Sequence, residues 1–165
     1  MRDVVIVDSV RTGLTKAFRG SFNLTRSDDM LAHCIDSLLD RNPNLSPEEV
    51  EDVVVGAATH AGEQDGNLAR LAVVLSKLPI TVAGVSINRF CSSGLQAIAI
   101  AANQIASGQT EVAIAGGVDS ISMRTRQEPG KAKQNQRLLD EKPDIFMAMG
   151  NTAEAVSYTH LRAHE

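Results

Sequence analysis

The hydrophobic pattern along the chain switches between two periods. Val4-Val5-Ile6-Val7 is a short β-branched run and predicts a buried strand. A polar, glycine-containing stretch follows from Arg11 to Asn23. Leu31, Ile35 and Leu38 then recur at helical spacing behind Thr25 and Asp28, a capping-box-like start with Asp in place of Glu. They predict an amphipathic helix over 26–41. Ser46-Pro47-Glu48-Glu49 predicts a short helix, with a cap residue, a proline at the first helical position and an acid at the third. Strands are predicted at 53–58, 80–87 and 111–115, the last ending at Gly116-Gly117. Helices are predicted at 68–77 and 92–107, the second closed by Gly108. The order β-α-β-α-β-α-β predicts an α/β fold, a mainly parallel sheet with helices on its faces.

Two stretches break this rhythm. Residues 123–144 are polar and charged and predict a loop excursion or small lid rather than the next strand. The helix at 92–107 carries Leu95, Ala97, Ile98, Ala99, Ile100, Ala101, Ala102, Ile105 and Ala106, which leave almost no polar face. A helix apolar all round is a buried one. In a chain of 165 residues, that predicts a cover from beyond these residues.

Composition adds limits. A hydrophobic content of 43% excludes wholesale disorder, and 3% aromatics means a core of Ala, Val, Ile and Leu. A net charge of −4 lacks the basic excess of a nucleic-acid binder, so no nucleic-acid partner is expected. Two cysteines, Cys34 and Cys91, cannot make a secreted-type disulfide framework and predict a reducing, cytoplasmic setting. No apolar run reaches the ~18 residues of a spanning helix, so no membrane span is expected.

Cys91 is the sharpest chemical candidate. It lies between the third predicted strand and the apolar helix, where unsatisfied N–H groups and the helix dipole stabilise a thiolate. Ser92, Ser93 and Gly94 keep the surroundings small. The alternative is a buried structural cysteine. Several chemistries are excluded by pattern: the sixth position after Cys91 is Ala97 rather than a phosphatase arginine, and no C-x-x-C occurs. Gly130-Lys131 is followed by Ala132, and no G-x-G-x-x-G follows the first strand. Cys34 shares a helix face with Leu31 and Leu38 and reads as core; Met30 reads as core or interface. His33 and His60 have no partner at motif spacing. His160 and His164 lack a third ligand, so no metal site is expected.

The run Ile87-Asn88-Arg89-Phe90-Cys91-Ser92-Ser93-Gly94-Leu95-Gln96-Ala97-Ile98 resembles the acyl-enzyme signature of the thiolase family. Val4 to Thr12, Gly66-Asn67-Leu68-Ala69-Arg70, Ala115-Gly116-Gly117 with Asp119, and Met149-Gly150-Asn151-Thr152-Ala153-Glu154 are similar to further family elements in the same order. The resemblance implies an acyl-CoA acyltransferase in which Cys91 carries the acyl group, by thiolysis of a 3-ketoacyl-CoA or the reverse condensation, within fatty acid β-oxidation. It implies that the Cys91 N–H serves an oxyanion hole and that Phe90 and Met149 line the acyl pocket. Arg11 and Arg70 match family positions and read as mainly structural. Acyl-CoA and CoA are the implied partners, with CoA as substrate carrier and no separate cofactor, and the full-length form is expected to be a homo-oligomer.

The implied layout is an N-terminal α/β domain over 1–120 lacking its last strand and the start of a CoA-binding loop domain over 121–156. The loop lysines of that second part could meet CoA phosphates or form a solvated surface. Residues 157–165 follow none of the family pattern and are expected to be foreign sequence. The family's catalytic histidine and second cysteine come from a C-terminal half not found here, so the chain is expected to be inactive alone. A ketoacyl-synthase-like condensing enzyme is the enzymatic alternative, disfavoured by Asn88-x-x-Cys91-x-Ser93-Gly94. A non-catalytic fragment is the alternative of another class.

Overall fold

A computed structural model describes residues 2–123 and 135–160. The sequence readings of Lys131, Lys133 and His164 lie outside the described residues, as do parts of the predicted loop domain and tail. The chain forms two compact units, Met1–Glu128 and Pro129–Glu165.

In the first unit, α1 spans Ser27–Arg41, β1 Asp52–Gly56, α2 Leu68–Leu75, β2 Ala83–Ile87, α3 Ser93–Ser107 and β3 Ala113–Gly117. The strands form one sheet in the order β2-β1-β3, and both pairings are parallel, with Val54 opposite Val85 on one side and Ala115 on the other. The predicted α/β class with a parallel sheet is therefore observed. β1 is the central strand. Val53 and Val55 pack into a core with Leu31, Ile35 and Leu39 of α1 and Leu68, Ala72 and Val73 of α2. Val54 packs against Ala97 and Ala101 of α3 on the opposite face. A strand covered on both faces needs an unbroken apolar run, which Val53-Val54-Val55 supplies. The path from β1 to β2 runs one way across the sheet and the path from β2 to β3 runs back. Right-handed crossovers therefore place α2 and α3 on opposite faces.

Three local expectations are corrected. Val4–Val7 forms no strand, and Val5, Ile6 and Val7 are 74%, 79% and 82% exposed. β3 pairs with β1 alone among the described residues, and the run does not add to its open edge. The run's hydrogen bonds to other elements among the described residues lie near its ends: the Arg2 N–H donates to Ala106 O, and Arg41 and Asn42 donate to the Asp8 carboxylate. Second, Thr25 and Asp28 do not cap α1. The Ser27 N–H donates to Glu63 Oε1 at 2.9 Å, and Asp28 is taken by Arg26 in a two-point ion pair. Third, β2 begins at Ala83 rather than Ile80, because the Arg70 guanidinium occupies Ile80 O and Val82 O at 2.7 and 2.6 Å. In line with the expected need for a further cover, α3 buries Ser93, Ala97 and Ala101 among the described residues, while Leu95 stands 72% exposed.

Other local signals hold. Gly108 takes φ +76 in the left-handed region to close α3. Residues Pro47–Glu49 form one 3-10 turn, with the Glu49 carboxylate accepting the Ser46 N–H at 2.8 Å.

The second unit holds α4, Gln136–Glu141, and α5, Met149–His160. Asn135 caps α4 through the Leu138 N–H, and Arg137 pairs with Glu141 one turn on. α5 runs without a break through Val156 and Ser157. No helix among the described residues is long and apolar enough to cross a membrane.

Candidate functional site

Parallel sheets gather loops and helix N-termini at the carboxyl ends of their strands, where open α/β folds bind ligands. Here that end is closed in by two glycines. A Cβ on Gly56, the last residue of β1, would overlap the Ser93 carbonyl group. A Cβ on Gly117, the last residue of β3, would lie 2.8 Å from Gly56 O. The missing side chains let the first turn of α3 sit directly on the strand ends. The result is a shallow cavity of about 280 Å³ lined by Gly56, Phe90, Cys91, Ser93, Gly117 and Asp119 among others. Cys91 is exposed there, two residues ahead of α3.

The turn that carries Cys91 is unusual. Phe90 has φ +47, in the left-handed region that a bulky side chain rarely adopts. Hydrogen bonds fix both of its peptide groups. Its N–H donates to Asn88 Oδ1 at 2.7 Å, and its carbonyl accepts from Ser93 Oγ at 2.6 Å and the Ser93 N–H at 3.0 Å. Ser93 Oγ also accepts the Arg89 N–H at 2.8 Å, and Arg89 donates to Gln96 Oε1 at 2.6 Å. Among the described residues, the Cys91 N–H has no acceptor.

Behind the turn lies a polar relay. The Asn88 amide donates to Ala58 O at 3.1 Å, and the Ala58 N–H donates to Asp119 Oδ2 at 2.9 Å. Asp119 Oδ1 accepts from Gln64 Nε2 at 3.2 Å. Gln64 is 1% exposed; it donates to Thr59 O and accepts from Ser27 Oγ and the Ser120 N–H. Asp119 thus lines the same cavity as Cys91 with both carboxylate oxygens already engaged. That suits a bracing role rather than that of a base.

Of the residues singled out by sequence, the structure brings Cys91 and Phe90 to one cavity. Met149 is exposed at the start of α5 in the other unit. Arg70 donates to Ile80 O and Val82 O. His60 lies within 3.3 Å of Ile87 O, and His33 is exposed; neither lines the Cys91 cavity. No group of three potential metal ligands occurs among the described residues. Cys34 differs from the core reading. It is half-buried and lines a separate cavity of about 620 Å³ with Arg11, Leu14, Met30, Leu38 and Ile114. Burial pushes its thiol above the ordinary value, against a weaker opposing hydrogen bond at Thr12. Asn88 and Asp119 stand in the motifs that carry the resemblance, whereas Gln64 has no sequence signal; the contacts of all three to Ala58 and its neighbours join groups far apart in the chain and are not legible there.

Comparison with known proteins completes the picture. The family model described as "Thiolase, N-terminal domain" matches residues 4–161. The 3-ketoacyl-CoA thiolase of Bacillus subtilis (strain 168) is 40% identical over 157 residues, which cover 95% of this chain and 40% of that protein. The beta-ketoadipyl-CoA thiolase of Pseudomonas putida is 44% identical over 122 residues, covering 74% and 30%. The 3-ketoacyl-CoA thiolase of Aeromonas salmonicida (strain A449) is 37% identical over 165 residues, covering 97% and 41%. The chain spans about two fifths or less of the length of these relatives.

Proposed function

The chain belongs to the thiolase family, and from that premise we propose that Cys91 is the residue that takes the acyl group in an acyl-CoA acyltransferase. Its thiolate attacks the thioester carbonyl, the bond to the CoA sulfur breaks, CoA leaves as a thiolate that takes a proton from water, and the acyl group remains on Cys91 Sγ. The carbonyl oxygen gains negative charge on the way. The Cys91 N–H, without an acceptor among the described residues, is a fitting donor to it. Phe90 lines the same cavity and offers an apolar wall to the acyl chain. Met149 is proposed for the same pocket on the strength of the sequence resemblance alone. CoA enters as substrate carrier, and the acyl transfer as written uses no metal or redox group.

The relatives' names point to 3-ketoacyl-CoA thioesters as the substrate class, with fatty acid β-oxidation as one setting. The beta-ketoadipyl-CoA thiolases leave a dicarboxylic acyl chain as another. Among the described residues, no histidine lines the Cys91 cavity. We therefore expect the chain by itself to accept an acyl group slowly and not to turn over.

The observation that carries this reading is the placement of Cys91: an exposed thiol at a strand-to-helix turn whose backbone is locked in a strained conformation. The test is incubation with acetyl-CoA followed by intact-mass and peptide mapping. An acetyl adduct on Cys91, absent from C91A, is the expected result. No adduct after hours, or an adduct on Cys34 instead, would refute it.

A further inference from the structure

We propose that Asn88 is a positioning residue for Cys91. Its carboxamide bridges Ala58 O and the Phe90 N–H and so clamps the strained turn that presents the thiol.

The two ends of the bridge differ in what they hold. Toward the site, Asn88 Oδ1 accepts the Phe90 N–H at 2.7 Å, and Phe90 is the residue at φ +47. A bulky side chain leaves that conformation for the right-handed or extended regions unless its surroundings fix it. Release would swing the Cys91 peptide away from the first turn of α3. Ser93 holds only the carbonyl side of Phe90. The Asn88 side chain is the holder of the N–H side.

Away from the site, Asn88 Nδ2 donates to Ala58 O at 3.1 Å. That peptide is itself fixed, because the Ala58 N–H donates to Asp119 and Asp119 accepts from the fully buried Gln64. The clamp therefore transmits the rigidity of a buried polar group to an exposed turn. Asn88 is itself exposed and packs into no core, so its deletion leaves no cavity. This inference deepens the function proposed above and rests on Cys91 being the acyl acceptor.

The experiment uses the whole chain and two readouts. Iodoacetamide alkylation, followed by mass spectrometry, reports the Cys91 and Cys34 rates in the same tube. Acetyl-CoA labelling reports acyl transfer. N88A is expected to slow alkylation and acylation of Cys91 by about tenfold, the equilibrium equivalent of releasing one left-handed residue, with the Cys34 rate unchanged. N88D keeps an acceptor for the Phe90 N–H but not the donor to Ala58, and it is expected to slow Cys91 less than N88A does. Glycine adopts φ above zero freely, so the clamp becomes dispensable in an F90G background. There, adding N88A is expected to change the Cys91 rate by less than about threefold.

An unchanged Cys91 rate in N88A, an equal loss with and without F90G, or parallel slowing of Cys34 would each overturn the proposal. The alkylation readout keeps the two ideas apart. If the parent chain takes no acetyl group but alkylation follows the expected pattern, the acyl-transfer reading fails and the positioning role stands. If acetylation occurs and N88A does not alter it, the reverse holds.

Discussion

At Gly56 the strand-to-helix packing leaves no room for a side chain. An added Cβ would meet the Ser93 carbonyl, and this obstacle is backbone and cannot rotate aside. G56A must therefore lift α3 from the strand end. Overpacking of this kind costs about 1–3 kcal/mol, and the backbone clash puts G56A at the upper end. Urea denaturation is expected to show that loss, and Cys91 alkylation is expected to change with it. A G56A protein with the parent's midpoint would show that α3 has slack the structure does not contain. Residue-level legibility in the sequence divides along the same line. Cys91 was readable because its evidence is local: a strand run, a cysteine, small residues and an apolar helix in order. The braces around it were not. Asn88 reaches a carbonyl thirty residues away, and Asp119 reaches an N–H sixty-one away. Thr25 and Asp28 failed as a cap for the same reason, since Glu63 comes from a distant loop to do that work.

At the scale of elements, apolar period identified the right segments but not their partners. Val53-Val54-Val55 and Val4-Val5-Ile6-Val7 are equally strand-like in sequence. The first gains ladders on both sides and the second gains none. What keeps the second in place is electrostatic. The Asp8 carboxyl is held below the usual carboxylate range, first by the Asn42 amide and then by the Ser9 N–H and Arg41. A folded value lower than the unfolded one means that the stabilisation is complete above the unfolded value. It is lost as pH falls through the folded one. The 2–9 segment is therefore expected to loosen on acidification below about pH 4. Amide exchange at the Arg2 N–H and mass-resolved exchange of the segment should show this. D8N should remove the acid dependence by making the segment loose at every pH. Equal protection in D8N and parent at neutral pH would contradict the role given to Asp8. The helix at 92–107 carries the converse lesson. Its apolar composition predicts a need for cover on all sides, and among the described residues only one side of α3 has neighbours.

For the molecule as a whole, the exposed side of α3 has a direct consequence. Leu95 and Ile98 lie three residues apart on one helix face and are 72% and 40% exposed. β3 offers a second adhesive feature, since it pairs on one side alone among the described residues, and unpaired strand edges recruit other chains. Burying one Leu or Ile side chain is worth about 1.5–3 kcal/mol, so two of them on a contact favour association by more than about tenfold. The chain is accordingly expected to sediment as species heavier than its 17.6 kDa. The two features predict different remedies. If α3 supplies the contact, L95E/I98E shifts the distribution toward monomer by at least about tenfold in dissociation constant. If the β3 edge supplies it, L95E/I98E changes nothing and proline at Ala115, whose N–H faces away from β1, removes that edge N–H and dissolves the assembly instead. We expect the first outcome, because a helix face excludes water over more apolar area than a five-residue edge. A monodisperse monomer with a sharp cooperative melt would mean that both surfaces are tolerated by the free chain. The apolar character of α3 would then have to be explained by packing within a single molecule.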